Sequence, residues 1–409
     1  MKKNIQLLFI VLLFACCSNQ NDPIIVVTED AKPINLSSAL QKRVVQDNEF
    51  AFELFKKTIE DSNETNVFVS PLSVSIALGM VWNGAVGTTK SEIESTLKMS
   101  GLSVNEINEY YKIMQTTLPS IDPTTKLNIA NSIWYRTGFP VKPTFLKVNT
   151  DYFNSEVRDL DFSQAWALDT INNWCAQKTN NLIKKPLDKI SSDAAMYLIN
   201  AIYFKGIWRK KFDLKSTFVS QFTNETGNLV EINMMHQTDT FAYTQDENAQ
   251  YLDMPYGNKA YNMTVILPNS QKTTADVLTE LTVDKWNAVL QNFSTKEVEV
   301  YLPRFKTENN FELKPVLQKM GMNLAFTGNA DFSNISDIGL MISRVIHSTF
   351  VEVNEEGTEA AAVTIVEMRY TFTPVRPVIR VDRPFLYIIR EKSTGIILFI
   401  GKMGSVVKY

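Results

Sequence analysis

The sequence predicts a single domain of the α+β class with antiparallel sheets. Apolar spacings typical of strands and of helices are intermingled along the chain, without the strict alternation of a parallel α/β fold. Residues 194–204 are almost continuously apolar and predict a strand at the centre of a sheet. No flexible linker interrupts the chain after Asp47, so we expect one domain, although 409 residues could form two or three.

The individual elements are predicted from apolar spacing and from helix-starting residues. Ser70 and Pro71 indicate a helix start, because serine caps the first turn and proline fits its first position. Thr89 and Glu92 have the spacing of a capping box, which starts another helix. Further helical patterns lie at residues 49–59, 71–82, 143–153, 163–180, 275–290 and 316–320. Strand patterns lie at residues 66–69, 127–135, 194–204, 263–267, 298–305 and 345–353.

The N-terminal residues have the pattern of an export signal. Residues 1–15 combine a basic start with a short apolar run, as a secretory signal peptide does. The residues before Cys16 resemble a bacterial lipoprotein cleavage box, so we expect a lipidated Cys16 that attaches the protein to a membrane. Residues 16–45 would form a polar tether and residues 46–409 the folded domain. The expected location is the outer membrane, facing the periplasm or the cell surface, or the extracellular space after release.

Composition and motifs argue against several classes of function. The chain has 41 Lys and Arg against 44 Asp and Glu, and this balance does not favour a nucleic-acid partner. His236 and His347 are the only histidines, and neither has a second ligand at the spacing of a metal-binding helix. Cys175 lies in an apolar helical pattern and is expected to be buried. Because the sequence has no nucleophile motif, we expect no enzyme activity. Because it has no metal-ligand or cofactor motif either, we expect no metal and no cofactor.

The most informative segment is residues 354–373. At the strand period of two, every charge after Gly357 falls on one face. The opposite, uncharged face carries Thr358, Ala360, Ala362, Thr364, Val366, Met368 and Tyr370. Polar residues precede this pattern, and Pro374 and Pro377 follow it, so both ends look like a loop. The segment therefore fits either an ordinary strand or a loop that can become a buried strand.

Several stretches together resemble a known family. Residues 379–389 and 395–402 resemble the C-terminal signature of the serpins, the serine protease inhibitors, and the run EEGTEAAA from Glu355 resembles the hinge of their reactive loop. Residues 66–71, residues 200–208, residues 302–305 and His347 also match that family in order. The resemblance covers residues 48–401, whereas residues 403–405 lack the proline that usually follows the last strand. It implies a mixed, mainly antiparallel central sheet plus further sheets, about eight to nine helices and an exposed reactive loop.

The resemblance also assigns roles to residues in three places. The hinge would comprise Glu355, Glu356, Gly357, Thr358, Glu359, Ala360, Ala361 and Ala362. A polar cluster behind the point where the central sheet opens would comprise Ser70, Ser73, Asn200 and His347. Arg304 and Glu355 would form an ion pair near one end of that sheet, with Trp208 packed beside it. Read without the family, His347 is a core histidine bonded to hydroxyls, and Arg304 and Glu355 are unrelated surface charges.

Two counts along the reactive loop place the bond that a protease would cut. The family's usual interval from Glu355 gives the bond between Thr371 and Phe372, whereas the interval back from Pro384 gives Thr373. We prefer Thr371, because the inserting length is set by the sheet. Thr371 suits elastase-like or subtilisin-like enzymes, whereas the alternates Tyr370 and Arg369 suit chymotrypsin-like and trypsin-like enzymes.

The resemblance implies a monomeric suicide-substrate inhibitor of serine proteases, with cysteine proteases as a further target class. After cleavage, residues 357–371 would insert into the central sheet and trap the acyl-enzyme. The alternative is a non-inhibitory serpin that acts as a chaperone or ligand carrier, although such proteins usually carry bulky or charged residues on the inserting face. A cell-envelope hydrolase of another family is a third interpretation.

Overall fold

A computed structural model describes residues 29–357 and 376–409 of the chain. Within these ranges the chain forms nine α-helices and fourteen β-strands. The helices are α1 (Ser38–Asp61), α2 (Pro71–Trp82), α3 (Gly87–Thr96), α4 (Val104–Thr117), α5 (Pro143–Phe153), α6 (Ala165–Lys178), α7 (Thr274–Glu280), α8 (Val283–Gln291) and α9 (Lys314–Lys319). The strands are β1 (Asn66–Val69), β2 (Lys126–Arg136), β3 (Ser155–Leu160), β4 (Met196–Lys205), β5 (Phe218–Thr223), β6 (Leu229–Gln245), β7 (Ala249–Pro255), β8 (Tyr261–Pro268), β9 (Ser294–Pro303), β10 (Phe305–Glu312), β11 (Ile346–Val353), β12 (Val378–Arg380), β13 (Phe385–Glu391) and β14 (Ile397–Met403).

The strands form three hydrogen-bonded sheets. The large sheet has the order β1-β14-β13-β8-β7-β6-β9-β12, and β5 also pairs with β6. A three-stranded sheet has the order β3-β2-β4, and β10 and β11 form a separate antiparallel pair. Only the β2–β3 and β9–β12 pairs are parallel among the described strands. The predicted α+β class with mainly antiparallel sheets is therefore confirmed.

The apolar strand that the sequence placed at the centre of a sheet lies at an edge instead. Within the described residues β4 pairs with β2 on one side, and no strand is hydrogen-bonded to its other side. The first half of β4 is accordingly only half-buried. β11 also has one paired side, toward β10. The strongly apolar sequence of β4 fits a strand that another strand could cover.

Helix α2 lies at the centre of the molecule, between the large sheet and the three-stranded sheet. It packs against β4 and β14, and nearly all its residues are buried. As predicted, Pro71 opens this helix, and the Ser70 side chain accepts a hydrogen bond from the Ser73 N–H. The start of α2 therefore has a defined position relative to both sheets.

The first helix begins earlier than the apolar spacing indicated. Ser37 caps α1, and the helix starts at Ser38, so the boundary expected between residues 45 and 46 falls inside it. The segment before α1 also contacts the body, because the Ala31 N–H donates to the Asn258 carbonyl at 2.8 Å. Ile34 packs against the main core.

Two local predictions about helices were wrong. The single helix predicted at residues 275–290 is divided into α7 and α8, because Thr282 caps a new helix by accepting from the Lys285 N–H. The capping box predicted at Thr89 and Glu92 does not form, since α3 starts at Gly87 without a side-chain cap. Both side chains instead accept hydrogen bonds from backbone N–H groups of the chain after α9.

Apolar side chains cover both faces of the large sheet. On one face α1 and α8 meet it, and the rings of Phe52 and Trp286 contact edge to face with centroids 6.4 Å apart. On the other face the ring of Phe68 stacks with those of Tyr387 and Phe399. A separate apolar cluster lies between α6 and the three-stranded sheet; Cys175 is buried there as predicted, and burial raises the pKa of its thiol to about 12. None of the described helices is both long and apolar enough for a membrane span.

Gly401 lies opposite Tyr387 in the neighbouring strand, and the Tyr387 ring packs directly against it. A Cβ atom at position 401 would overlap the Tyr387 ring, so Gly401→Ala should lower the unfolding free energy by about 1–3 kcal/mol. Urea unfolding measures this change. The matched control is Gly328→Ala, where the new methyl group meets no neighbour and stability should change little. Equal losses in the two variants would contradict the predicted overlap.

Candidate functional site

The candidate site begins at the turn that follows β11. Residues 354–357 form this turn, in which the Asn354 N–H donates to the Gly357 carbonyl at 2.8 Å and the Gly357 N–H donates back at 3.2 Å. Gly357 has φ 140°, a conformation that favours glycine. A Cβ atom at this position would also overlap the Gly206 carbonyl oxygen. The chain therefore requires glycine where the hinge was predicted.

The segment that follows β4 holds this turn through its backbone. The Trp208 N–H donates to the Glu356 carbonyl at 2.7 Å, and the Phe212 N–H donates to the Glu355 carbonyl at 2.9 Å. The Trp208 indole N–H reaches the Asn354 carbonyl at 2.9 Å. Trp208 is itself fixed by stacking on Tyr256, with ring centroids 4.3 Å apart. The turn after β11 is thus tied to the chain leaving β4.

An ion pair adds a side-chain anchor to the turn. The Arg304 Nε and Nη2 atoms lie 2.8 and 2.6 Å from Glu355 Oε1. The Glu355 side chain is only 7% exposed, and it also accepts from the Thr217 hydroxyl. A charged pair with this burial is costly to break singly, because the remaining charge would lose its partner. The structure thus brings together the predicted Trp208, Arg304 and Glu355, whereas Thr217 gave no signal in the sequence.

The next residue of the turn, Glu356, has a different environment. Its side chain is buried, and burial raises the pKa of its carboxyl. Lys211 and Lys205 oppose this shift, and Glu355 reinforces it. The two neighbouring carboxylates of the turn therefore lie in different environments, because Glu355 is paired with Arg304.

The four residues of the predicted polar cluster lie where α2 meets β4 and β11. The Ser70 N–H donates to His347 Nε2 on β11 at 2.9 Å, and the Ser70 hydroxyl donates to the Leu398 carbonyl at 2.7 Å. The Ser73 hydroxyl bonds to the Asn200 side chain on β4. The start of α2 therefore contacts β4 and β11, each of which has an edge without a strand partner among the described residues.

Additional polar residues extend this cluster in both directions. The Asn200 amide donates to the Asn131 side-chain oxygen at 2.7 Å, which continues the network to β2. The Thr349 hydroxyl donates to the Phe68 carbonyl at 2.7 Å, and the Asn309 side chain accepts from the Phe68 N–H at 2.9 Å. These residues occupy ordinary strand positions in the sequence. Only their contacts across the fold identify them as members.

His347 is neutral in this environment. Burial lowers the pKa of its ring to about 4. The hydrogen bond with the Ser70 N–H gives the same assignment, because a nitrogen that accepts from a backbone N–H cannot carry a proton. His347 therefore acts as a hydrogen-bond acceptor that holds β11 against the start of α2.

Together these contacts place the predicted hinge beside two strand edges that lack a strand partner in the described chain. β4 and β11 each have an edge with no strand partner in the described chain, and the turn at residues 354–357 leads out of β11. Edges of this kind offer backbone donors and acceptors to an extended segment. No group of three His, Cys, Asp or Glu side chains within the described ranges is arranged to hold a metal ion. The arrangement can therefore bind an extended strand.

A family model described as "Serpin (serine protease inhibitor)" matches residues 45–406. The chain belongs to the serpin family. Human neuroserpin is 33% identical over 87% of this serpin and 90% of its own length. Most serpins inhibit serine proteases rather than act as enzymes, and some members are not inhibitors.

Solved structures agree with this assignment. The native state of tengpin, a thermophilic serpin, has a TM-score of 0.84 and 34% identity, and the match covers 93% of this serpin and 98% of tengpin. Human thyroxine-binding globulin has a TM-score of 0.82 and 29% identity, and the match covers 90% and 100% of the two chains. The fold expected from the resemblance is therefore confirmed.

Several predicted site residues lie outside the described residues. They are Cys16, the hinge residues Thr358, Glu359, Ala360, Ala361 and Ala362, and the reactive-bond candidates Arg369, Tyr370, Thr371, Phe372 and Thr373.

The buried His347 should contribute a pH dependence to the stability of this serpin. Because the pKa of His347 is depressed by folding, the unfolded chain takes up the proton first, and stability is lost as the pH falls from about 6.5 to about 4. Over this window wild type should lose about 1.4 kcal/mol per pH unit more than His347→Gln. Urea unfolding at several pH values measures the difference. His236→Gln removes the other histidine and should keep the steeper loss, and equal slopes for wild type and His347→Gln would exclude this role.

Proposed function

We propose that this serpin is a suicide-substrate inhibitor of serine proteases. One observation carries the proposal: the edges of β4 and β11 that lack a strand partner in the described chain lie beside the hinge. The segment that follows this hinge in the sequence has one face made of uncharged, initially small residues. A segment with that face can enter between two strands without burying a charge.

The proposed reaction starts as ordinary proteolysis. The serine oxygen of the protease attacks the carbonyl carbon of the residue before the scissile bond, and its proton passes through the catalytic histidine to the departing amine. The product is an ester between the protease and the new end of the loop. The released loop then inserts beside β11 and carries the attached enzyme with it.

The energy of insertion is sufficient to disturb the protease. If about 15 residues each gain a net ladder bond of ~1 kcal/mol, the drive is on the order of 10–15 kcal/mol before entropy costs. Displacement of catalytic groups by about 1 Å can slow a reaction by ~100-fold. Deacylation would then fail, provided that insertion is faster than hydrolysis of the ester.

The hinge contacts explain why insertion would wait for cleavage. For the loop to continue β11 as a strand, the turn must extend and the Glu355 and Glu356 carbonyls must leave the N–H groups of Phe212 and Trp208. Gly357 must also leave its φ of 140°. These bonds restrain the turn until the loop is cut and its far end is free to move.

For the scissile bond, we propose the bond between Thr371 and Phe372, with neighbours from Arg369 to Thr373 as alternates. Elastase-like or subtilisin-like enzymes are the matching partners. The mass of the C-terminal fragment released from a complex identifies the bond.

The mechanism is tested at Thr358, on the face proposed to insert. Thr358→Arg would place an unpaired charge in the sheet, at a cost of several kcal/mol, whereas before insertion the change should have little effect. We expect the variant to be cut at the same bond but to form little or no covalent complex in denaturing electrophoresis.

The matched control is Glu359→Arg, on the opposite face. This variant should inhibit nearly as well as the parent. If Thr358→Arg traps protease as efficiently as Glu359→Arg, insertion by alternate residues is wrong. If the parent forms no complex with any serine protease in a panel, a non-inhibitory role replaces the proposal.

For the location, we propose that a lipid on Cys16 anchors the protein to the outer membrane. Cys16→Ala should move the protein from the membrane fraction to the soluble fraction, because a lipid chain is lost. Fractionation of cells that express each form measures this. Continued membrane association of the variant would contradict the lipoprotein assignment.

A further inference from the structure

Tyr409 lies against the last residue pair of β10 and β11. Its hydroxyl is 3.3 Å from the Phe305 carbonyl oxygen and 3.2 Å from the Val353 carbonyl oxygen. Phe305 and Val353 are register partners, and Val353 directly precedes the hinge turn. One side chain thus spans the two strands at the point where the turn begins.

The backbone of Tyr409 is connected to the other anchor of the hinge. The Asn233 side-chain amide donates to the Tyr409 carbonyl at 2.8 Å, and the Asn233 carbonyl accepts from the Arg304 N–H at 2.9 Å. Arg304 in turn pairs with Glu355. The Tyr409 ring also lies beside Lys306, whose Nζ is 4.9 Å from the ring centroid. Tyr409 therefore contacts the ends of both strands at the turn and is connected to Arg304 through Asn233.

The hydroxyl keeps its proton in this environment. Burial raises the pKa of Tyr409, the charge of Glu352 adds to the shift, and Arg304 opposes it. A protonated hydroxyl has one hydrogen to donate, shared between or alternating over the two carbonyls. Both contacts favour a fixed separation of β10 and β11.

We propose that Tyr409 is a positioning residue for the hinge. By holding Val353 next to Phe305, it confines bending to residues 354–357 and keeps Arg304 aligned with Glu355. Without the hydroxyl the strand ends separate more readily, and the turn loses its fixed base. Its consequence for protease inhibition rests on the proposed function, whereas its effect on the turn does not.

The test is hydrogen exchange of backbone N–H groups in Tyr409→Phe. This variant keeps the ring and its contact with Lys306 but removes the donor. The Trp208 and Phe212 N–H groups, which donate to the turn, should exchange about fivefold faster, the factor that corresponds to one net hydrogen bond. Exchange in β8 and β13 should not change, which separates a local effect from general destabilisation.

Two further variants make the result specific. Asn233→Ala, which frees the Tyr409 carbonyl, should also speed exchange at Trp208 and Phe212. Val407→Ala is the control, because the Val407 side chain is 76% exposed and should leave exchange unchanged. Unchanged exchange in Tyr409→Phe, or equal acceleration in β8 and β13, would overturn the proposal.

A functional measurement then separates this inference from the proposed function. If the parent inhibits a protease, Tyr409→Phe should lose inhibitory activity about fivefold faster during incubation alone, because the intact loop inserts more readily. If the parent inhibits no protease, the proposed function fails, while hydrogen exchange still decides the role of Tyr409.

Discussion

Hydrogen bonds keep the turn after β11 folded back, and they determine where that strand ends. Trp208 and Phe212 hold two carbonyls of the turn, and Arg304 holds the Glu355 side chain. While these contacts persist, β11 ends at Val353 and its edge toward β4 has no strand partner in the described chain. A long edge without a partner is normally a liability, because it can pair with any extended segment. In the proposed mechanism, the turn controls which segment can reach this edge.

The polar cluster behind the two strands has a complementary role. Apolar packing alone would allow β4 and β11 to slide over α2, whereas hydrogen bonds have fixed directions and lengths. Ser70 contacts β11 through His347, and Ser73 contacts β4 through Asn200, so one end of one helix sets the position of both strands. Because His347 is buried and neutral, this positioning requires no charge in the core. The cluster and the hinge thus act on the same pair of strands from different places.

The contacts between Tyr409 and the residues around the turn join segments that are far apart in the sequence. Asn233 belongs to the large sheet, Arg304 lies between β9 and β10, and Tyr409 follows β14. Their contacts meet within a few ångströms of Val353 and Glu355. If the turn opens as proposed, contacts that are individually modest can be lost one after another. The contacts that hold the turn therefore form only when the whole domain is folded.

By itself, the sequence determined the features that depend on neighbouring residues. The alternating face after Gly357, the Ser70-Pro71 helix start and the α+β class all follow from periodicity and capping, which act over a few residues. The family resemblance added the cluster and the Arg304–Glu355 pair. Other features became visible only in the tertiary structure. Thr89 and Glu92 bind a loop, and β4 lies at the edge of its described sheet. Asn131, Thr217 and Tyr409 join the site through contacts across the fold. Such partners are brought together by packing across long sequence separations, and a hydroxyl or amide at a strand position does not reveal which distant carbonyl it will meet.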